Sequence, residues 1–203
     1  MGGRISLGRQ RLNKLQINMK VQVRKGTFET NSSSIHTIAI AKGTYQDGIE
    51  LYKVVYSDMP LKFELCEFGW EAEKYSSFYE RASYLWTMAC SDSFEDAIKR
   101  RMFIEETLLE QGIKSEFQPV VEEKYTSGGT YCLAEDQSWF GIDHSDEWND
   151  FKRRIFSDKE LLLDFLFGDA FILTYNDNDD YADWLMLEDQ DDGIERDYYT
   201  KGN

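Results

Sequence analysis

The run SDSFEDAIKRRMFIEETLLEQG, residues 91–112, constrains the fold more than any other stretch. Ser91 or Ser93 can cap a helix, Glu95 and Asp96 fall in its first turn, and Gly112 ends it. Phe94, Ala97, Ile98, Arg101, Ile104, Glu105 and Leu108 recur at helical spacing and mark one mostly apolar side. That side needs a surface to bury against, and the chain supplies runs that read as strands. These are residues 20–24 (KVQVR), 36–41 (HTIAIA), 51–56 (LYKVVY), 61–68 (LKFELCEF), 114–123 (KSEFQPVVEE), 138–142 (SWFGI) and 170–176 (AFILTYN). Pro119 places its run at an edge or a bulge, and residues 126–131 read as a turn.

Further helices are expected. Residues 75–90 carry Phe78, Ala82, Leu85, Trp86 and Ala89 at helical spacing. Residues 146–156 and 157–167 read as two short helices, the second capped by Ser157 or Asp158, and residues 179–187 as one more. The fold class is α+β: a single domain, mostly antiparallel sheet with several helices packed on it. Residues 1–18 are expected to be a flexible basic extension, 19–187 the domain, and 188–203 an acidic, partly disordered tail.

Composition bears on function through charge. The chain has 38 acidic against 23 basic residues, net −15. Arg4, Arg9, Arg11 and Lys14 give residues 1–18 a charge of +4, leaving −19 on the rest. Such a body repels nucleic acid unless a local basic patch, a cation or a partner intervenes. The runs KRR at 99–101 and 152–154 are the candidate patches, although pairing with neighbouring acids is the preferred reading. The aromatics are dense, and most fit core packing. Any exposed member of Tyr75, Phe78, Tyr79 and Trp86 could anchor a partner.

The 3 cysteines are far apart, with no CxxC pair, which suits a reducing compartment. No apolar run is long enough to span a bilayer, so a soluble, non-membrane protein is expected.

Only 2 histidines occur, His36 and His144. His36 closes the polar run TNSSSIH, and His144 follows Asp143 in GIDHS. Were the two loops to meet, two imidazoles could serve as general base and general acid in phosphodiester cleavage, with Asp143 orienting one of them. Thr30, Asn31, Ser32 and Ser33 could grip a phosphate, and Ser34 is a candidate hydroxyl for the catalytic group. The plain alternative is a capped polar turn.

No GxSxG, Walker A or GxGxxG pattern is present. Residues 175–193 are rich in oxygen ligands. An EF-hand frame starting at Asp177 puts Ala182 where the turn glycine belongs, so that match fails. A hydrated Mg²⁺ near these acids is the one cofactor to consider, a solvated acidic face is preferred, and no metal site is assigned.

At RKGTFETNSSSIH (24–36) the chain resembles a family of small proteins from phages, plasmids and other bacterial mobile elements. GIDHS (141–145) and FILTYNDND (171–179) are similar to further parts of it. The resemblance is specific at the first motif and loose over roughly residues 19–180. It implies an anti-CRISPR protein that inhibits a Cas9-type effector, in some members through cleavage of the guide RNA. It further implies that Asn31, Ser32, Ser33, Ser34, His36, Asp143 and His144 are functional, and that the protein works in the bacterial host cytoplasm. The competing expectation is a non-enzymatic acidic inhibitor that occupies a basic nucleic-acid-binding surface of the effector.

Overall fold

The computed structural model describes residues 34–57, 59–70, 72–125, 129–143, 149–176 and 194–201. In chain order the elements are β1 (Ser34–Ile40), α1 (Tyr45–Tyr56), β2 (Leu61–Phe63), β3 (Glu67–Phe68), β4 (Glu73–Tyr75), α2 (Phe78–Ala89), α3 (Phe94–Glu110), β5 (Ser115–Phe117), β6 (Val120–Lys124), β7 (Thr130–Ala134), β8 (Gly141–Ile142), α4 (Asn149–Ile155), α5 (Lys159–Phe167), β9 (Ala170–Asn176) and β10 (Asp197–Lys201). The main sheet has four antiparallel strands in the order β10-β1-β9-β4. Three two-stranded pairs accompany it: β2 with β5 and β3 with β8, both parallel, and the antiparallel hairpin of β6 and β7. The α+β class with a mostly antiparallel sheet is therefore what the chain adopts.

Residues His36 to Ile40 are buried without a break, so β1 is covered on both faces. Ile38, Ile40 and Ile172 share one core with α2, α5 and the inner side of α3. From Arg81 to Ala89 every residue of α2 is buried, which is the pattern of a helix enclosed all round. Its start carries a reciprocal box: Ser77 Oγ accepts from Glu80 N, and the Glu80 carboxylate accepts from Ser77 N. Arg81 is tolerated inside because its guanidinium donates to Gly168 O at 2.7 Å and Ala170 O at 3.0 Å. α3 begins at Ser93, whose hydroxyl accepts from Asp96 N, and it buries Ala97, Ile104, Thr107 and Leu108. Asp158 caps α5 by accepting from Glu160 N and Leu161 N.

Residues 51–56, expected as a strand, are the second half of α1. Tyr45, Ile49, Tyr52 and Tyr56 stand at i, i+4, i+7 and i+11, and Ile49 and Tyr52 are buried. The apolar residues that imitate a strand face water: Leu51 is 55% exposed, Val54 80% and Val55 57%. The helix start is supported from far along the chain. Asp164 of α5 accepts from the backbone N–H groups of Gly43, Thr44 and Tyr45 at 2.7, 2.8 and 3.1 Å. Gly48 lets α1 lie against the end of α5, since a Cβ there would stand 1.7 Å from Phe167 O.

The expected strand at 61–68 is broken into β2 and β3. Between them the backbone N–H groups of Glu64, Leu65 and Cys66 pair with the side chains of Ser83, Gln118 and Thr87 rather than with a strand. Pro119 likewise splits the run at 114–123 into β5 and β6. Within the expected acidic tail, residues 197–201 form β10 and pair with β1 from His36 to Ile40. Arg196 anchors the strand through Asp169 at 2.7 Å, and Tyr199 packs on Phe151. The expected strand at 20–24, the helix at 179–187 and the extension 1–18 lie outside the described residues.

The two KRR runs are occupied by neighbours. Lys99, Arg100 and Arg101 pair with Glu95, Asp92 and Glu105. Lys152 and Arg153 pair with Asp92 and Asp150, and Arg154 lies over the Tyr199 ring. Trp86 is fully buried, and Tyr75, Phe78 and Tyr79 pack half-buried on the core, so core packing accounts for these aromatics. All three cysteines are free thiols. Among the described residues no helix is long and apolar enough to cross a membrane.

Candidate functional site

His36 sits in the middle of the sheet. Its neighbours in register are Thr174 on β9 and Lys201 on β10. Strand alternation puts it on the same face as Ile38 and Ile40, and like them it is 0% exposed. The sequence of β1 therefore continues a core stripe with an imidazole in place of an aliphatic side chain. A buried polar ring needs partners. Nδ1 lies 3.2 Å from the hydroxyl of Tyr84, which α2 delivers from across the core. The two rings are tilted by 45° with centroids 6.3 Å apart.

The opposite edge of the ring meets Gly69. A Cβ built on Gly69 would stand 2.5 Å from His36 Nε2, 2.7 Å from Cε1 and 3.1 Å from the Cβ of Asp143. Gly69 also has φ +102°, a conformation that side chains disfavour. One missing methyl group thus makes the notch in which His36 and Asp143 become neighbours. Asp143 is brought there by strand pairing. β3 and β8 run parallel with Glu67 opposite Gly141 and Phe68 opposite Ile142, and Asp143 N donates to Phe68 O at 3.0 Å. The residue that leaves β3, Gly69, and the residue that leaves β8, Asp143, emerge side by side.

Aromatic groups wall the site. The Phe68 ring meets Tyr75 and Tyr84 edge-on at 5.1 and 4.9 Å. Tyr75 donates to the Glu73 carboxylate and also bonds to Thr174, the strand neighbour of His36. Burial pushes the phenols of Tyr75 and Tyr84 well above the usual tyrosine range, and for Tyr75 the Glu73 carboxylate adds to it. Both stay protonated through the working pH range.

The structure brings together two of the expected site residues, His36 and Asp143. Ser34 lies two positions earlier in β1, its backbone paired with Asn176. Thr30, Asn31, Ser32, Ser33 and His144 lie outside the described residues, as do the acids at 177–193 considered for Mg²⁺. Among the described residues no group of three or more His, Cys, Asp or Glu side chains is placed to hold a metal ion. Gly69, Tyr84 and Thr174 were not singled out from the sequence. Gly69 sits in the short phrase EFGW, and Tyr84 falls within a helix whose expected face omitted it.

The arrangement can hold a carboxylate beside an imidazole whose far nitrogen is tied to a phenol. His36 itself is sealed from solvent, whereas Asp143 is half-buried. Compared with protein-family models, curated proteins and solved structures, the chain matches none of them.

Proposed function

We propose that the chain is a mobile-element anti-defence protein that inhibits a Cas9-type effector by acting on its guide RNA. Its ribonuclease-like site is built on His36 and Asp143 and completed by His144. The observation that carries this reading is the meeting of the two motif segments at Gly69, where His36 Nε2 and the Asp143 Cβ both crowd the position of the missing methyl group. These segments come from opposite halves of the chain.

Burial makes His36 the inner member of the site and half-buried Asp143 the outer one, with His144 next to Asp143 in sequence. Cleavage needs a base to take the proton of the RNA 2′-hydroxyl as O2′ attacks phosphorus. It also needs an acid to protonate O5′ as the P–O5′ bond breaks. A 2′,3′-cyclic phosphate and a free 5′-hydroxyl result. An adjacent carboxylate and imidazole can divide those two tasks.

The charge of −15 favours delivery of the RNA by the effector over direct capture. The pairing of both KRR runs with acids or an aromatic ring supports the same route. An acidic body docked on a basic effector would meet guide RNA that it could not attract alone.

The test is guide-RNA integrity after incubation with the effector. Asp143→Asn and His144→Ala should each slow RNA loss by about 10²-fold or more, the usual range for removing a general acid or base. Wild-type protein that inhibits while the RNA stays intact would sink the ribonuclease reading. If that inhibition also weakened steeply with salt, the acidic blocker would replace it.

A further inference from the structure

The contact between His36 and Tyr84 has a direction, and the direction decides what His36 can do. Either nitrogen of a neutral imidazole can carry the proton, and a tyrosine hydroxyl can donate or accept. Tyr84 resolves the choice. It is 0% exposed, and among the described residues His36 Nδ1 is its one hydrogen-bond partner. Around it stand the edge of the Phe68 ring and the apolar core. If Nδ1 carried the proton and donated to Tyr84, the phenol's own proton would be left unmatched in the interior, which buried donors rarely are.

We propose that Tyr84 is a positioning residue that donates to Nδ1 and so fixes His36 as the neutral Nε2–H tautomer, presenting a donor to the notch it shares with Asp143. Burial keeps the phenol protonated, so the donor persists across the working pH range. Nε2 is the nitrogen nearest the missing Gly69 methyl, on the side from which Asp143 enters.

The consequence divides the labour of the site and rests on the ribonuclease reading. With Nδ1 occupied by Tyr84 and Nε2 already protonated, His36 has no lone pair for a substrate proton. It acts as a fixed donor that holds the carboxylate side of the notch. The base then has to be Asp143 or His144.

The test uses the full-length chain labelled with ¹⁵N, and imidazole ¹H–¹⁵N correlation spectra near neutral pH. Two histidines are present, and His144→Ala assigns them. The expected wild-type result for His36 is a protonated Nε2 and an Nδ1 shifted as a hydrogen-bonded lone-pair nitrogen. In Tyr84→Phe the Nδ1 signal should move toward that of a bare lone-pair nitrogen. A wild-type His36 with a protonated Nδ1, whether as the other tautomer or as imidazolium, overturns the proposal even if Tyr84→Phe fails to fold. Unchanged His36 signals in folded Tyr84→Phe overturn it equally.

Guide-RNA loss is measured on the same proteins. If wild-type protein leaves the RNA intact while His36 shows the expected tautomer, the ribonuclease reading fails and the assignment of Tyr84 and His36 stands.

Discussion

Replacing Gly69 by alanine puts a methyl group 2.5 Å from His36 Nε2 and 3.1 Å from the Asp143 Cβ, in a backbone with φ +102°. Two costs follow. The backbone has to hold an L-residue in a sparsely populated region, at about 1–3 kcal/mol. The methyl group has to displace an imidazole held between two strands and a buried tyrosine, an overpacking cost of about 1–3 kcal/mol. Together they come to roughly 2–6 kcal/mol, a fall in melting temperature of about 4–24 °C for a chain of this size.

Gly112→Ala is the control. That glycine also has positive φ, +71°, but nothing lies within 4 Å of its Cβ position, so only backbone strain of about 1–2 kcal/mol applies. Urea denaturation of both variants isolates the contact. Adding His36→Ala to each closes a double-mutant cycle, because with the ring gone the alanine at 69 should cost less. Equal destabilisation by the two substitutions, or a cycle with no coupling, would mean that Gly69 does not make room for His36, and the notch would lose its basis.

Three further outcomes are expected. Val54→Ala should stabilise the protein by about 0.5 kcal/mol, because Val54 is 80% exposed on α1 and alanine is the better helix former there; a strand at 51–56 would give the opposite sign in chemical denaturation. Asp164→Ala should cost about 2–4 kcal/mol by stranding the N–H groups of Gly43, Thr44 and Tyr45, and circular dichroism should show helix loss at α1 before global unfolding. Asp92 carries a depressed carboxyl: burial raises it, but the Arg100 hydrogen bond and the Lys152 charge outweigh that. Its contribution is therefore present above the ordinary carboxylate pKa and lost as pH falls through the depressed value. Asp92→Asn should be less stable at neutral pH and lose less stability on acidification, as read by melting temperature from pH 7 down to below pH 4.

Local chemistry made much of the fold legible. Ser93 and Asp158 announce helix starts because a capping side chain acts within three residues of itself. The expected strand at 36–41 shows as alternation because His36, Ile38 and Ile40 share one face and the smaller Thr37 and Ala39 the other, and Pro119 marks a break because it has no N–H to give a ladder. His36 and Asp143 could be nominated because imidazoles are scarce in this chain and polar runs are conspicuous.

Tertiary structure decided what distance along the chain conceals. The α1 start depends on a carboxylate from α5, so residues 51–56 imitate a strand until Asp164 is in place. The gap at 64–66 depends on side chains of α2 and Gln118 taking the N–H groups that a strand would have used. β10 lies in a segment whose acidity signals solvation, yet the free edge of β1 supplies backbone partners regardless of side-chain charge. The neighbourhood of His36 is the sharpest case. Composition and periodicity describe a residue and its near neighbours along the chain. Tyr84, Gly69 and Asp143 reach the ring through a buried helix and a parallel strand pair, and only the packed fold brings those three together.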